Sequence, residues 1–241
     1  MIETGVHILD QAAWASLTGP HACFAQGGGR ARRYRPEISP IMAIPPVQDE
    51  QAWADLHTLV GRRGQAFLSA DIGTPPDGWA VDVRGEGVQL LSTAALRSEP
   101  FAGQVVLGAA DVPEMLELVA RTKPGPFEPE TYRLGTYLGV RRAGRLVAMA
   151  GERLHPPGYT EISAVCTDPD FRGLGLGSAL VRAVAHNIRE RGEIPFMHAA
   201  ASNVNAIRLY LSIGFELRRT RQFTVLTSPD RNPQDCPRPR G

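Results

Sequence analysis

The run Arg172-Gly173-Leu174-Gly175-Leu176-Gly177 is the part of the sequence best suited to chemistry, because it stands between a predicted strand and a predicted amphipathic helix. The first turn of a helix leaves N–H groups without intrahelical acceptors, and the aligned peptide dipoles make that end electropositive. Glycines remove the Cβ atoms that would hold an anion away, so a pyrophosphate here could accept several N–H bonds at once. The plain alternative is a tight turn with close strand–helix packing. Two nucleotide sites do not fit. A dinucleotide fold asks for G-x-G-x-x-G and an acidic residue at the tip of the next strand. This run is G-x-G-x-G, and the next strand leaves through Ala199-Ala200-Ala201-Ser202. A P-loop needs Gly-Lys-Ser/Thr, and Gly177-Ser178 lacks the lysine.

The elements that must position this run follow from periodicity and punctuation. Thr160–Val165 reads as a strand entering the loop through Asp168-Pro169-Asp170. After the loop, Leu176, Leu180, Val181, Val184 and Ile188 recur at helical spacing up to a stop at Gly192. A strand at Pro195–Ala199 precedes a short helix over about Val204–Ser212, closed by Gly214 with Phe215 beyond it, and a last strand spans roughly Arg219–Thr227. Upstream, Val105–Leu107 is a strand and Asp111 opens a helix with Met115, Leu118 and Val119 on its apolar side. Lys123-Pro124-Gly125-Pro126 ends that helix, and Tyr137–Val140 with Leu146–Ala150 make a hairpin around Arg142-Ala143-Gly144. Earlier still, a helix is predicted over about Asp49–Val60, with strands at Gln65–Ala70, Trp79–Arg84 and Val88–Leu91. Gly27–Gly29 and Pro36–Pro46 read as loops, and the polar, proline-rich stretch after Ser228 reads as disordered.

Composition narrows the partners. A net charge of +1 over 241 residues offers no global field for nucleic acid or an anionic membrane. No apolar run is long enough to span a bilayer, so neither partner is expected. Cys23, Cys166 and Cys236 are too scattered for a disulfide framework or a metal site, and no metal is expected. The start, Met1-Ile2-Glu3-Thr4-Gly5, lacks the basic and then apolar pattern of a signal peptide, which makes the cytoplasm the expected compartment. Arg30, Arg32, Arg33 and Arg35 form a basic cluster read as a solvated loop face. A homodimer is compatible with the sequence but not legible in it.

From about Gln104 to Thr227 the chain resembles the GNAT superfamily of acyl-CoA-dependent N-acyltransferases. The glycine run fits that family's Q/R-x-x-G-x-G/A motif, and Asn203-Val204-Asn205-Ala206-Ile207-Arg208-Leu209-Tyr210 with Ile213-Gly214-Phe215 fits a second motif about thirty residues on. Thr160–Asp170 resembles more narrowly a subgroup related to the glycine N-acyltransferase C-terminal domain, which carries an extra N-terminal domain. The resemblance implies an α/β fold with a mixed sheet, splayed between the strand ending at Val165 and the strand at Pro195–Ala199. Residues 104–228 would be the acyltransferase domain, 1–103 a smaller, degenerate GNAT-like α/β domain, and 229–241 the disordered tail.

The resemblance also implies a reaction, the transfer of an acetyl or other short acyl group from acyl-CoA to an amine. Val165, Cys166 and Thr167 would line the pantetheine arm and turn a backbone N–H toward the thioester carbonyl. Arg172, Gly173, Leu174, Gly175, Leu176, Gly177 and Ser178 would hold the pyrophosphate, Asn203 would contact the cofactor, and Tyr210 would protonate the departing thiolate. The residues themselves leave blander readings open: Tyr210 as a core aromatic, Asn203 as a helix N-cap. Cys166 beside the thioester could suggest an acyl-cysteine, but no base stands next to it and an inert buried thiol is expected. The general base has two candidates. His198 titrates near neutrality and shares a face with Phe196 and Ala200; Glu161, on the preceding strand, could act through a water. Cofactor binding without catalysis, in an acyl-CoA sensor, is the alternative to an enzyme.

Overall fold

The structure, a computed structural model, describes residues 7–230; the readings of Met1–Gly5 and of the tail beyond residue 230 lie outside the described residues. In chain order the elements are α1 (Ala12–Leu17), β1 (Ala25–Gln26), β2 (Arg32–Tyr34), β3 (Ile41–Ala43), α2 (Glu50–Val60), β4 (Gln65–Leu68) and β5 (Ala80–Ser92). There follow β6 (Gln104–Leu107), α3 (Val112–Thr122), β7 (Tyr137–Arg142), β8 (Arg145–Glu152) and β9 (Tyr159–Thr167). The last described elements are α4 (Leu176–Glu190), β10 (Ile194–Ala200), α5 (Val204–Ile213) and β11 (Phe215–Thr227). The strands form a mixed sheet of 11 strands in the order β1-β2-β3-β4-β11-β5-β10-β9-β8-β7-β6. The α/β class expected from the sequence is the one the chain adopts. No helix among the described residues is long and apolar enough to cross a membrane.

Alternation along the strands assigns side chains to the two faces. Leu138 and Val140 of β7, Ala148 and Ala150 of β8 and Ile162 of β9 pack with Leu180, Val181, Val184 and Ile188 of α4. Tyr137, Met149 and Cys166 point the other way and pack with Met115 and Leu118 of α3. Each fully buried Leu, Val or Ile contributes about 1.5–3 kcal/mol relative to exposure, so the α4 stripe holds that helix firmly on the sheet and fixes where its N-terminus lies. In the first half, Leu9, Leu17, Tyr34 and Ile41 share a cluster with Phe196 of β10, while Trp53, Leu56, Leu68 and Trp79 pack with Leu226 of β11.

The first half departs from the sequence reading in three places. A helix forms at Ala12–Leu17, where no element was expected. Inside the proline-rich stretch, Ile41–Ala43 forms a wholly buried strand, because Pro40 and Pro45 flank it without interrupting its hydrogen bonds. Trp79–Arg84 and Val88–Leu91 belong to the single strand β5, which is 13 residues long. Gly85 interrupts the strand pattern for a packing reason: it lies opposite Phe223, whose ring fills the space a Cβ would take. The basic cluster is tied down as well, with Arg30 paired to Asp49 and Arg35 stacked on Phe24.

β5 runs antiparallel to both neighbours, from Leu91 opposite Phe196 to Gly87 opposite Ala200 on one edge, and along Phe215–Thr227 on the other. β10 and β9 are parallel but pair only from Ile194/Tyr159 to Met197/Ile162. Just beyond, β9 bulges between its Ser163 and Cys166 partners on β8, with Ala164 at φ 52°. The expected splay therefore begins at Ile162 and Met197.

Gly214, at φ 110°, turns the chain from α5 into β11, and its carbonyl accepts hydrogen bonds from Thr93 N at 3.0 Å and Thr93 Oγ1 at 2.8 Å. A Cβ there would come within 2.6 Å of Leu96 Cα and 2.7 Å of Ala95 C. Gly214→Ala is expected to lower the unfolding free energy by about 3 kcal/mol, combining positive-φ strain with overpacking against backbone. Urea titration by circular dichroism reads this directly; an unchanged midpoint would refute it.

Candidate active site

Gly173 and Gly175 have φ of 78° and 73°, the left-handed region that residues with a Cβ avoid. A Cβ on either would meet nothing within 4 Å, so backbone conformation and not crowding calls for glycine. From Gly173 to Ser178 no backbone N–H donates to a protein acceptor among the described residues; the first bonded amide is that of Ala179, to Gly175 O at 3.0 Å. These donors stand at the positive end of a helix of 15 residues. Arg172 lies alongside, its Nε 3.4 Å from Thr167 O, and Leu174 is exposed. Gly177 abuts β9: a Cβ on it would reach Thr167 Oγ1 at 3.7 Å and Val165 Cγ1 at 4.0 Å.

Next to Val165, where β9 and β10 part, lies a cleft of about 460 Å³. Ile162, Ser163, Met197 and His198 line it from the two strands, Asn203, Ala206 and Tyr210 from α5 and its N-cap, and Ile41, Phe67 and Ser69 from the first half of the chain. Asn203 Oδ1 caps α5 by accepting from Ala206 N at 3.2 Å, so the capping role coexists with a place on the cleft wall. The Tyr210 hydroxyl has no protein partner among the described residues, and burial pushes it up to about 12. Cys166 is on the opposite face of β9, packed toward α3, and burial pushes its thiol up to about 11.

The two sequence-level candidates for the base are in contact. His198 Nδ1 lies 2.8 Å from Glu161 Oε1, and Arg153 grips the same carboxylate through Nε at 2.9 Å and Nη2 at 2.6 Å. Glu161 is completely buried. Burial alone would raise its carboxyl, but the Arg153 guanidinium and then His198 hold it far below the usual carboxylate range. It therefore acts as a fixed negative charge. On the other side of the imidazole, the Gln89 amide nitrogen lies 2.9 Å from His198 Nε2 and donates to Leu9 O at 2.9 Å, while Gln89 Oε1 accepts from Arg218 at 2.6 Å. This orientation gives one consistent tautomer: Nδ1–H donates to Glu161, and Nε2 accepts from Gln89. Arg221 Nη1 stands 3.4 Å from the same Nε2. Burial lowers the imidazole below its ordinary value, with Glu161 opposing the shift.

The pattern of the FR47-like protein family matches residues 137–224. A crystal structure from Novosphingobium aromaticivorans, assigned to the GNAT family of acetyltransferases, superposes with a TM-score of 0.85 at 40% identity, covering 92% of this chain and 99% of that one. This chain belongs to the GNAT family. The N-alpha-acetyltransferase RimI of Mycobacterium tuberculosis is 32% identical over 126 residues, covering 46% of this chain and 78% of the relative. A mycothiol acetyltransferase of Nocardiopsis dassonvillei is 30% identical over 215 residues, covering 85% of this chain and 50% of the relative. This GNAT chain thus spans about half the length of that relative.

Within this GNAT site, Gln89, Arg153 and Arg221 escaped the sequence reading. Gln89 and Arg221 are polar residues on strands and Arg153 directly follows the end of β8, and they meet only through strand order. Glu161→Gln would leave the Arg153 guanidinium uncompensated, and is expected to cost about 3–5 kcal/mol at pH 7. Because the folded carboxyl is depressed, its stabilisation is complete above an ordinary glutamate pKa of about 4.3 and is lost as pH falls below it. The gap between wild type and variant in urea titrations should therefore narrow as pH falls from 7 to 3. A constant gap would contradict the assignment.

Proposed function

We propose that this GNAT protein transfers an acetyl group, or another short acyl group, from acyl-CoA to an amine. The observation that supports this most is the run of unbonded amides at Gly173–Ser178 beside the point where β9 and β10 separate. Those amides and Arg172 would hold the diphosphate, and Val165, Thr167 and Asn203 would line the arm that leads into the cleft. Acyl-CoA, when bound, supplies a thioester carbonyl. The acceptor nitrogen attacks that carbon and the C–S bond breaks. Backbone N–H groups on the unpaired edge of β9 are the natural donors for the charge that collects on the oxygen. Tyr210, kept protonated by burial, gives its proton to the departing sulfur. His198 takes the proton released by nitrogen, exchanging the Gln89 contact for the acceptor, while Glu161 keeps Nδ1 protonated and positions the ring. Cys166, on the far face, takes no part. The sparse cysteines support a reducing, cytoplasmic setting.

Gly177→Asp separates folding from binding. An acidic residue in the first turn suits the helix dipole, and a Cβ at this position meets only ordinary contacts at 3.7 and 4.0 Å. The carboxylate would nevertheless repel a diphosphate. The variant should melt near the wild-type temperature while its affinity for acetyl-CoA falls at least about tenfold, or 1.4 kcal/mol, measured by calorimetry. Unimpaired binding would remove the loop from the site.

Tyr210→Phe should keep acetyl-CoA affinity and lower kcat by about 10²–10⁴. The acid limb of the wild-type kcat/KM profile should reflect His198, falling below an ordinary imidazole pKa of about 6.5, and should vanish in His198→Gln. Thiol release from CoA with a responsive amine measures both. A Tyr210→Phe protein with full kcat would refute the proton-donor role.

A further inference from the structure

We propose that the acceptor carries a carboxylate beside its amine, and that Arg221, helped by Arg153, receives it; the proposal rests on the acyl-transfer reading above. The charged side chains lining the cleft are Lys123, Arg153 and Arg221, and no aspartate or glutamate joins them. Arg153 is neutralised from behind by Glu161, although its Nη1 has no partner among the described residues. Arg221 is different. It is only 4% exposed, yet its hydrogen bonds go to neutral groups: Leu9 O at 3.0 Å, Asp10 O at 3.1 Å, Ser69 O at 3.0 Å and His198 Nε2 at 3.4 Å. The nearby carboxylates are committed to other arginines, Asp10 to Arg218 at 2.7 Å and Arg219 at 2.9 Å, and Asp71 to Arg219 at 2.7 Å.

A guanidinium withdrawn from water without a counter-ion keeps most of its desolvation cost. An entering carboxylate would offset that cost by charge pairing, reached through the Arg221 Nε–H and the Arg153 Nη1, neither of which has a partner among the described residues. A polycation would instead meet uncompensated like charge. Size points the same way, because the roughly 460 Å³ must also admit the thioester end of the donor, leaving room for a small acceptor. Phe67, Phe223 and Ile41 supply an apolar wall for a side chain. The chemistry that fits is a small α-amino acid or a close analogue, held by its carboxylate so that its nitrogen faces the gap beside Val165 and Tyr210.

The test uses acetyl-CoA as donor and matched acceptors: phenylalanine and alanine, their amides, and the amines left when the carboxylate is removed. Phosphoethanolamine and spermidine complete the set. Thiol release should give free amino acids a kcat/KM at least about tenfold above their amides and amines, as expected for a hydrogen bond to a charged group. In Arg221→Gln the ratio of acid to amide should collapse toward one, and Arg221→Lys should retain part of it. The ratio is internal to each variant, so a partial loss of folded protein leaves it unmoved. Equal turnover of acids and amides, preference for phosphoethanolamine or spermidine, no turnover of any amino acid, or an unchanged ratio in Arg221→Gln would overturn the proposal. Acetyl-CoA binding, followed separately by calorimetry, tells the two failures apart: bound donor with the wrong acceptor preference sinks the carboxylate site alone, whereas no binding sinks the acyl-transfer reading beneath it.

Discussion

β9 and β10 stay hydrogen-bonded up to Ile162 and Met197 and then diverge, and the site exists because neither strand is penalised for leaving the other. Backbone donors and acceptors removed from a ladder must find partners or solvent. β10 keeps its other edge paired with β5 as far as Ala200, while β9 keeps its other edge paired with β8 through a bulge at Ala164. The two freed edges therefore face a cleft without costing either strand its place. α4 packs across the same strands through a fully buried stripe, which sets the amides of residues 173–178 against Val165 and Thr167. Anion grip, strand gap and the hydroxyl of Tyr210 are consequences of one parting of strands.

A chain of buried and half-buried polar groups crosses the sheet beneath this gap. It runs from Arg153 on to Glu161, His198, Gln89, Arg218 and Asp10, linking segments at both ends of the sequence. Networks of this kind add little net stability, because desolvation consumes most of the attraction. Their value here is geometric: with each nitrogen of His198 held, one tautomer and one ring orientation are favoured. The chain also explains how the first half of the protein reaches the chemistry, since Leu9, Asp10 and Ser69 contribute backbone carbonyls that hold Gln89 and Arg221.

The glycine run, the helix after it and the α5 cap were legible because their physics is local. Gly173 and Gly175 need positive φ, Leu180 to Ile188 repeat at helical spacing, and Asn203 caps the helix it precedes. The contact between Glu161 and His198 was not legible, although both residues were singled out, because it depends on the parallel register of β9 and β10. Gln89 and Arg221 were less accessible still. Their meeting requires β5 to lie between β10 and β11, an order that no local pattern encodes. The split between Trp79–Arg84 and Val88–Leu91 failed for the opposite reason: Gly85 between them is a cross-strand seat for Phe223, a role visible only once β11 lies alongside.

The placement of β5 has a temporal side. A ribosome completes this strand when residue 92 emerges, yet its two sheet neighbours, β10 and β11, begin only at residues 194 and 215. For the synthesis of more than a hundred further residues its backbone, Leu90 included, has no native strand to pair with. Pairings this distant in sequence slow the final collapse and leave strand edges open to other chains. The nascent protein is thus exposed until β10 and β11 have both emerged, and a chain stopped short of β11 would carry an unsatisfied edge at the heart of its sheet.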